Sequence, residues 1–520
     1  MRNTSLVPPV ANNRPFSRRL FASGGVATPR NSGAITRRRA LPATKSRSRS
    51  MADYLRRGAL AAFLVLALSA CAVGPDYERP DTAAPAEFAR YDSAIYTDAE
   101  MEADFWRQLE DPMLTRLVDE ALAANHDLRI ALARYDRSRA LLRESGFDRF
   151  PTITAGATAA DQRASASQFP GATRSERDGE SYDASISAAW ELDFFGRVRR
   201  NLQAQRAEAE ASAADLSVVQ VSVVAELAQS YFQLRGLQQQ LSVARNNADN
   251  QRGSLELVQA RLDAGSGTQL DVEQARSQLE STLALIPALE SEIAVTAHRV
   301  AVLTGRQPAA MIAELEAPAP LPTLPAHIPA GAPGDLLRRR PDIFAAERRL
   351  AGATARIGVA TADLFPSFTL GGLIGTQAID TDALFERDSE TRSIALGVDW
   401  SFLDVGRVRA RIAAADADAA GNLASYEQTV LLALEETENA LVRYARLQRE
   451  REHLEAAATA GSEAARLARL RFDGGIADFL QVLDAERSQL ETEDRLVQSE
   501  TRSAVALVAL YRAMAGGWPL

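Results

Sequence analysis

The chain has 520 residues, 46% apolar and 24% charged, with a formal net charge of −9. That length admits two to four ordinary domains, and the apolar content suffices for a packed core. The acidic balance deepens to −21 over residues 71–520, which hold 46 basic and 67 acidic side chains, and this argues against nucleic acid as a partner.

Residues 1–50 hold eleven Lys or Arg, no Asp or Glu, and no apolar periodicity, and are expected to be a non-native or disordered leader. Met51 then opens a signal-like segment over 51–70, with Arg56 and Arg57 ahead of an apolar run from Ala59 to Leu68. The run is short against the roughly 20 residues of a transmembrane helix, so it reads as a cleaved signal. Leu68-Ser69-Ala70-Cys71 resembles the bacterial lipobox, which makes Cys71 the expected lipidated N-terminus. The alternative is a buried cysteine behind an uncleaved anchor. Against it, Cys71 is the only cysteine, closes the apolar run and precedes a Pro-rich polar stretch. Ala72 follows it, where an Asp would favour inner-membrane retention in enteric-type sorting. Residues 71–110 form the expected lipidated N-terminal segment.

An internal duplication organises the rest of the chain, as repeat 1 over 111–316, a Pro-rich linker over 317–334 and repeat 2 over 335–515. Asn125 to Thr154 aligns without gaps onto Arg340 to Thr369, matching Asp127 with Asp342, Arg134 with Arg349 and Phe150-Pro151 with Phe365-Pro366. Trp190 and Gly196-Arg197-Val198-Arg199 align onto Trp400 and Gly406-Arg407-Val408-Arg409. Arg261, Asp263, Gly265, Leu270, Val272 and Ala275 recur as Arg471, Asp473, Gly475, Leu480, Val482 and Ala485. Ala317 to Gly334 carries six prolines, which forbid helix and sheet ladders there.

Each repeat reads as helix, strand hairpin, very long helix, tight turn, helix. Helix is expected from Leu114 to Ser145, strand from Thr152 to Ala160, and a second strand alternating apolar and polar residues from Tyr182 to Phe194. Arg197 to Asp263 contains no Pro and only Gly236 and Gly253, and its apolar residues recur at coiled-coil-like spacings. Such a helix is about 100 Å long, against a bilayer core of about 30 Å, so it must project into another compartment. Its return partner is expected over Thr268 to Thr304. Repeat 2 copies the strands at Ser367 to Gly375 and Ser393 to Phe402. Two-faced strands of this length suit a soluble antiparallel sheet or an outer-membrane barrel, and the lipobox favours the barrel. Four strands close no barrel alone, because open edges are intolerable in lipid, so several chains must share one.

With these pieces placed, the chain resembles the TolC-like outer-membrane factor family, in its lipidated NodT-type branch, over residues 71 to about 515. The resemblance rests on Cys71-Ala72-Val73-Gly74-Pro75-Asp76-Tyr77, Phe105-Trp106, Leu337 to Asp342, Phe365-Pro366 and Gly406-Arg407-Val408-Arg409. It implies an α+β membrane protein: a shared trimeric outer-membrane β-barrel with four strands per chain, continued by a long periplasmic α-helical barrel. The implied role is the exit duct of a tripartite efflux system for small molecules or drugs. The implied partners are a homotrimer, a periplasmic adaptor, an inner-membrane pump of the resistance-nodulation-division type and outer-membrane lipid. No cofactor is expected beyond the covalent lipid on Cys71.

The family topology puts the loops Asp161 to Glu180 and Ile379 to Glu390 outside the cell and the linker beside the tunnel's equator. It puts the turns Asp263 to Gly267 and Asp473 to Ala477 at the periplasmic tips, where Asp263, Gly265, Asp473 and Gly475 shape the sites that meet adaptor hairpins. Asp484 falls on an acidic position that constricts the closed entrance in the family, while Gln481, upstream, departs from that acidic pattern. Asp484 also reads as a helix-start residue facing solvent, and Arg261 and Arg471 are weaker candidates for tip ion pairs.

Rival readings fit less of the chain. An enzyme finds little support, since His126, His298, His327 and His453 lack metal-ligand spacing and no phosphate loop or nucleophile elbow is present. A lipid-anchored coiled-coil scaffold leaves the duplicated hairpins unexplained. A duct for protein secretion or an ATP-driven exporter stays open, because the chain carries no energy-coupling motif.

Overall fold

The structure, a computed structural model, describes residues 72–81, 84–99 and 104–514. Cys71, the signal segment 51–70 and the leader 1–50 lie outside the described residues. A short strand, β1 (Tyr96–Thr97), is followed by helices α1 (Pro112–Ala124) and α2 (His126–Phe147) and the hairpin β2 (Thr152–Arg163) and β3 (Asp178–Glu191). Next come α3 (Arg197–Asp263), α4 (Gln269–Leu283), α5 (Leu285–Leu303), α6 (Ile312–Leu315), β4 (Ile328–Pro329) and α7 (Pro333–Arg339). Repeat 2 supplies α8 (Pro341–Ala362), β5 (Ser367–Ala378), β6 (Glu390–Asp399), α9 (Val405–Asp473) and α10 (Phe479–Ala513).

The duplication is carried down to backbone register. Helices α2 and α8 begin and end at positions that correspond in the alignment, as do β2 and β5 at their first residues. The hairpins pair identically: Thr152 faces Ala189, and their counterparts Ser367 and Asp399 face each other. The four strands form one antiparallel sheet in the order β2-β3-β5-β6, with β2 and β6 at open edges. Below it the helices continue the same order, α2 packing on α3, α3 on α8 and α8 on α9. Farther along, α3 meets α4, α5 and α10, and α10 runs back along α9.

The main core lies across the middle of these helices. Phe105 stacks on Tyr511 at 4.4 Å and meets Trp106 edge-on at 5.5 Å. Tyr231, Phe232, Tyr444 and Leu507 are buried around them. The Tyr96 hydroxyl donates to the Leu441 carbonyl at 2.6 Å, which ties the N-terminal segment to α9. Burial in this core offsets the conformational entropy of ordering these helices, whose stability comes mostly from packing rather than from propensity.

Four expectations are corrected. The helix expected from Leu114 to Ser145 is two helices, because Asn125, buried, caps α2 by accepting from the Asp127 and Leu128 amides. The return helix breaks at Ala284, where Pro287 lacks an N–H and crowds the carbonyl four residues back. The Pro-rich linker does hold a ladder: β4 pairs in parallel with β1, the Ile328 amide donating to Ile95 and that of Ala330 to Thr97. Pro329 sits between those two donors, so its missing N–H is not needed, and Pro333 opens α7 at a position that requires none.

The last correction concerns strand ends. β2 reaches Arg163 and β5 reaches Ala378, whereas β3 stops at Glu191, short of Phe194, and β6 spans Glu390–Asp399, short of Trp400 and Phe402. Pro151 and Pro366 set the lower limit of the ladders, since the partner strands begin only after them. The loops between strands are accordingly narrower than expected, at 164–177 and 379–389.

Candidate channel wall, entrance and strap

Directly opposed residues in an antiparallel sheet share a face, so the register sorts the sheet into two surfaces. One carries Ile153, Ile186, Trp190, Leu370, Ile374, Ile394, Leu396 and Val398, and Arg392 at its upper end. The other carries Thr154, Ser185, Ser187, Thr369, Ser393 and Asp399, with the Thr154 and Ser187 hydroxyls 2.7 Å apart. Ile186, Ile374, Ile394 and Leu396 are all exposed within one chain. An apolar outer face backed by a hydroxyl-lined inner one is the alternation of a barrel that meets lipid outside and water inside.

An aromatic layer marks the base of the sheet. Phe194 meets Phe368 edge-on at 5.2 Å, and Phe195 stacks on Phe365 at 4.6 Å. The Trp190 indole donates to the Arg149 carbonyl and the Trp400 indole to the Leu364 carbonyl. Amphipathic rings collected at one level are typical of a membrane–water boundary.

The segment after Cys71 lies on the helices just below this layer. The Val73 amide donates to the Phe195 carbonyl at 3.0 Å. Arg200 on α3 is buried and donates through Nε to the Val73 carbonyl at 3.1 Å and through Nη2 to the Gly74 carbonyl at 3.2 Å. Its Nη1 pairs with Asp76 at 2.8 Å. The Tyr77 hydroxyl donates to Glu347 on α8 at 2.7 Å, and burial together with that bond raises its pKa well above the ordinary value.

At the far end, the two tip turns are built alike. The Ser266 amide donates to the Arg261 carbonyl and that of Gly265 to Leu262; in repeat 2, Ile476 donates to Arg471 and Gly475 to Phe472. Gly265 and Gly475 adopt φ of 72° and 71°, the left-handed geometry that ends a helix in this bonding pattern. Asp263 accepts from the side-chain Nε2 of Gln259 one turn back, and Asp473 is the last residue of α9. The side chains around the turns differ. Arg261 lies 3.9 Å over the Phe472 ring and donates to the Phe472 carbonyl, joining the two tips, whereas Arg471 is exposed. Among the described residues neither tip arginine has a carboxylate partner within ion-pair distance.

Asp484 and Gln481 sit in the first two turns of α10. Asp478 caps this helix by accepting from the Gln481 amide. Asp484 is exposed and pairs with Arg487 one turn on at 2.7 Å, so its charge is partly offset by a neighbour on its own helix. The fold brings Asp484 and Gln481 to one helix end near the second tip, while Asp263 and Gly265 belong to the other hairpin.

Two sets of residues escape a reading of the sequence alone. Arg200, Gly358 and Glu347 form the groove that holds the N-terminal segment, and Glu486, buried on α10, pairs with Arg469 at 2.7 Å and accepts from Ser254 on α3 at 2.7 Å. For the first set a signal exists: at the corresponding positions the other repeat carries Ala410, Arg143 and Leu132.

A row of long helices continuing a two-faced sheet defines a subunit of a membrane duct. The profile of the family described as "Outer membrane efflux protein" matches residues 117–306 and 332–516. OprJ, an outer membrane protein of Pseudomonas aeruginosa, is 35% identical, over 89% of this chain and 96% of its own length. Nodulation protein T of Rhizobium leguminosarum bv. trifolii is 30% identical, over 88% of this chain and 96% of its own. The solved structure of the outer-membrane channel OprN superposes with a TM-score of 0.81 at 44% identity, over 86% of this chain and all of that one. The chain belongs to the outer membrane efflux protein family, in its NodT-type branch. It is an outer-membrane channel, the exit duct of an efflux system. The relatives it matches are channel and transport proteins rather than enzymes.

Proposed function

We propose that three copies of this chain close one outer-membrane barrel, continue it as a periplasmic helical tunnel, and so pass small molecules delivered by a periplasmic adaptor and an inner-membrane pump of the resistance-nodulation-division type. Cys71 carries the lipid that anchors each copy, the turns at Asp263–Gly265 and Asp473–Gly475 are the adaptor-facing tips, and Asp484 with Gln481 lines the entrance. The observation that supports this reading above the others is the pair of open edges, β2 and β6, on a sheet whose outer face is apolar. Lipid does not tolerate such edges.

The duplication supplies the register of closure. β3 and β5 pair across the two repeats with Ala188 facing Gly372. The corresponding residues on β6 and β2 are Val398 and Ala157, so Val398 of one copy faces Ala157 of the next. The test is crosslinking in native membranes with a short bifunctional thiol reagent. Ala157→Cys combined with Val398→Cys yields a ladder that stops at three chains, while each single variant, and Thr158→Cys with Val398→Cys on opposite faces, yields none. No interchain product, or a ladder that stops at two, overturns the reading.

A further inference from the structure

The two repeats agree in the register of their hairpins, and among the places where they differ one is a groove. Between α3 and α8 lie Arg200, Gly358 and the Glu347–Arg348 pair, where the alignment puts Ala410, Arg143, Leu132 and Ala133 in the other repeat. All of these departures converge on residues 72–77. Gly358 leaves space twice over: a Cβ there would lie 2.8 Å from the Arg200 Cγ, and one on Gly74 would lie 2.4 Å from the Gly358 Cα. Gly74 also adopts φ of 90°, which side-chain-bearing residues avoid. Ala72 is pressed against Gly196, where an added Cβ would lie 2.5 Å from the Ala72 Cβ.

The guanidinium at the centre of the groove is 4% exposed and spends its donors on main-chain carbonyls of Val73 and Gly74, on Asp76 and on Gln203 at 3.1 Å. Removing it leaves those carbonyls without their charged donor. Lysine, a point charge on a flexible stem, cannot reproduce a fork that reaches consecutive carbonyls and a carboxylate. Tyr77 closes the far end, its ring 5.6 Å from the Arg348 guanidinium and its hydroxyl on Glu347.

We propose that the α3–α8 groove is a receptor for the chain's own N-terminal strap, and that Arg200 is the positioning residue that fixes the mature N-terminus at the aromatic base of the sheet. A lipid on the residue before Ala72 then enters the membrane at the level where the apolar face of the sheet begins, and each copy is anchored at a set height rather than on a free tether. The proposal rests on the lipid reading of Cys71 for this consequence, but strap docking itself does not require it.

The experiment uses the full-length protein isolated from outer membranes, with hydrogen exchange read at the Val73 amide and a spin label at Glu78→Cys, an exposed strap position. In the Arg200→Ala variant the Val73 amide exchanges about 10- to 100-fold faster, the factor that loss of charge-assisted hydrogen bonds implies. The label becomes mobile, Arg200→Lys restores little of either, and conductance and oligomer melting stay as in the parent. Gly74→Ala, which alters only the strap, releases it in the same way and covers the case in which Arg200→Ala fails to fold. An unchanged Val73 amide and an immobile label in both variants overturn the proposal. Mass measurement of the N-terminal peptide separates the two readings: an unacylated Cys71 sinks the lipid anchor while leaving strap docking to the exchange data.

Discussion

Trp190 and Trp400 make the same contact in the two halves of the chain: each indole donates at 3.0 Å to a carbonyl in the turn that precedes its own hairpin, Arg149 in one case and Leu364 in the other. The bond locks the foot of each hairpin to the helix that leads into it.

Replacing Trp190 with Phe keeps an aromatic ring, though a smaller one, at the boundary and removes the donor. The expected loss is about 1 kcal/mol of hairpin stability, seen as a lower midpoint for urea denaturation of the protein. Trp190→Ala, which also removes the ring, lowers it further.

Gly236 on α3 faces Thr501 on α10 so closely that a Cβ there would lie 2.0 Å from the Thr501 Oγ1. Gly236→Ala therefore destabilises the helix pair by about 1–3 kcal/mol through overpacking, and Thr501→Ala in the same chain recovers part of the loss. Thermal unfolding of the single and double variants checks this. Equal melting of Gly236→Ala and the parent contradicts it.

Glu436 accepts from Arg340 and from Arg512 at 2.9 Å. Burial pushes its pKa up, but the hydrogen bonds and charges of Arg512 and Arg340 outweigh that and hold it below the ordinary glutamate value. The unfolded chain then binds more protons in the window between the two values. The stability from this site is full above the ordinary value and is lost as pH falls through it toward the folded one. Glu436→Gln should melt well below the parent at neutral pH, and the gap should narrow below about pH 4. Asp494 and Glu500, raised chiefly by burial, contribute with the opposite sign.

If Asp484 lines the entrance, Asp484→Ala increases conductance in planar bilayers or relieves block by multivalent cations. Arg487→Ala, which removes its partner, deepens that block. Conductance and block unchanged in both place Asp484 on an ordinary solvated surface.

Much of this architecture is legible in the sequence because the duplication repeats it. The 67-residue α3 is legible to its first and last residue, since no Pro interrupts it and Gly196 and Gly265 bracket it. Periodicity also finds the strands, but it runs past their ends at Phe194 and Phe402, because alternation continues where the ladder partner has stopped. Pro287 is visible, yet the apolar pattern carries a helix straight through it. Contacts between distant positions are not legible: Arg200 reaches Val73 across 127 residues, and no spacing rule links them. The departure from Ala410 is the available clue, since a duplicated chain shows its special positions as the places where the copies disagree.

The open edges β2 and β6 carry a kinetic consequence. If several copies close one barrel, as proposed, a single chain has no finished membrane part to insert, insertion and assembly are one event, and its rate depends on the supply of chains to a power greater than one. Halving synthesis should lower the number of ducts by more than half, and a chain defective at either edge should poison sound ones made beside it.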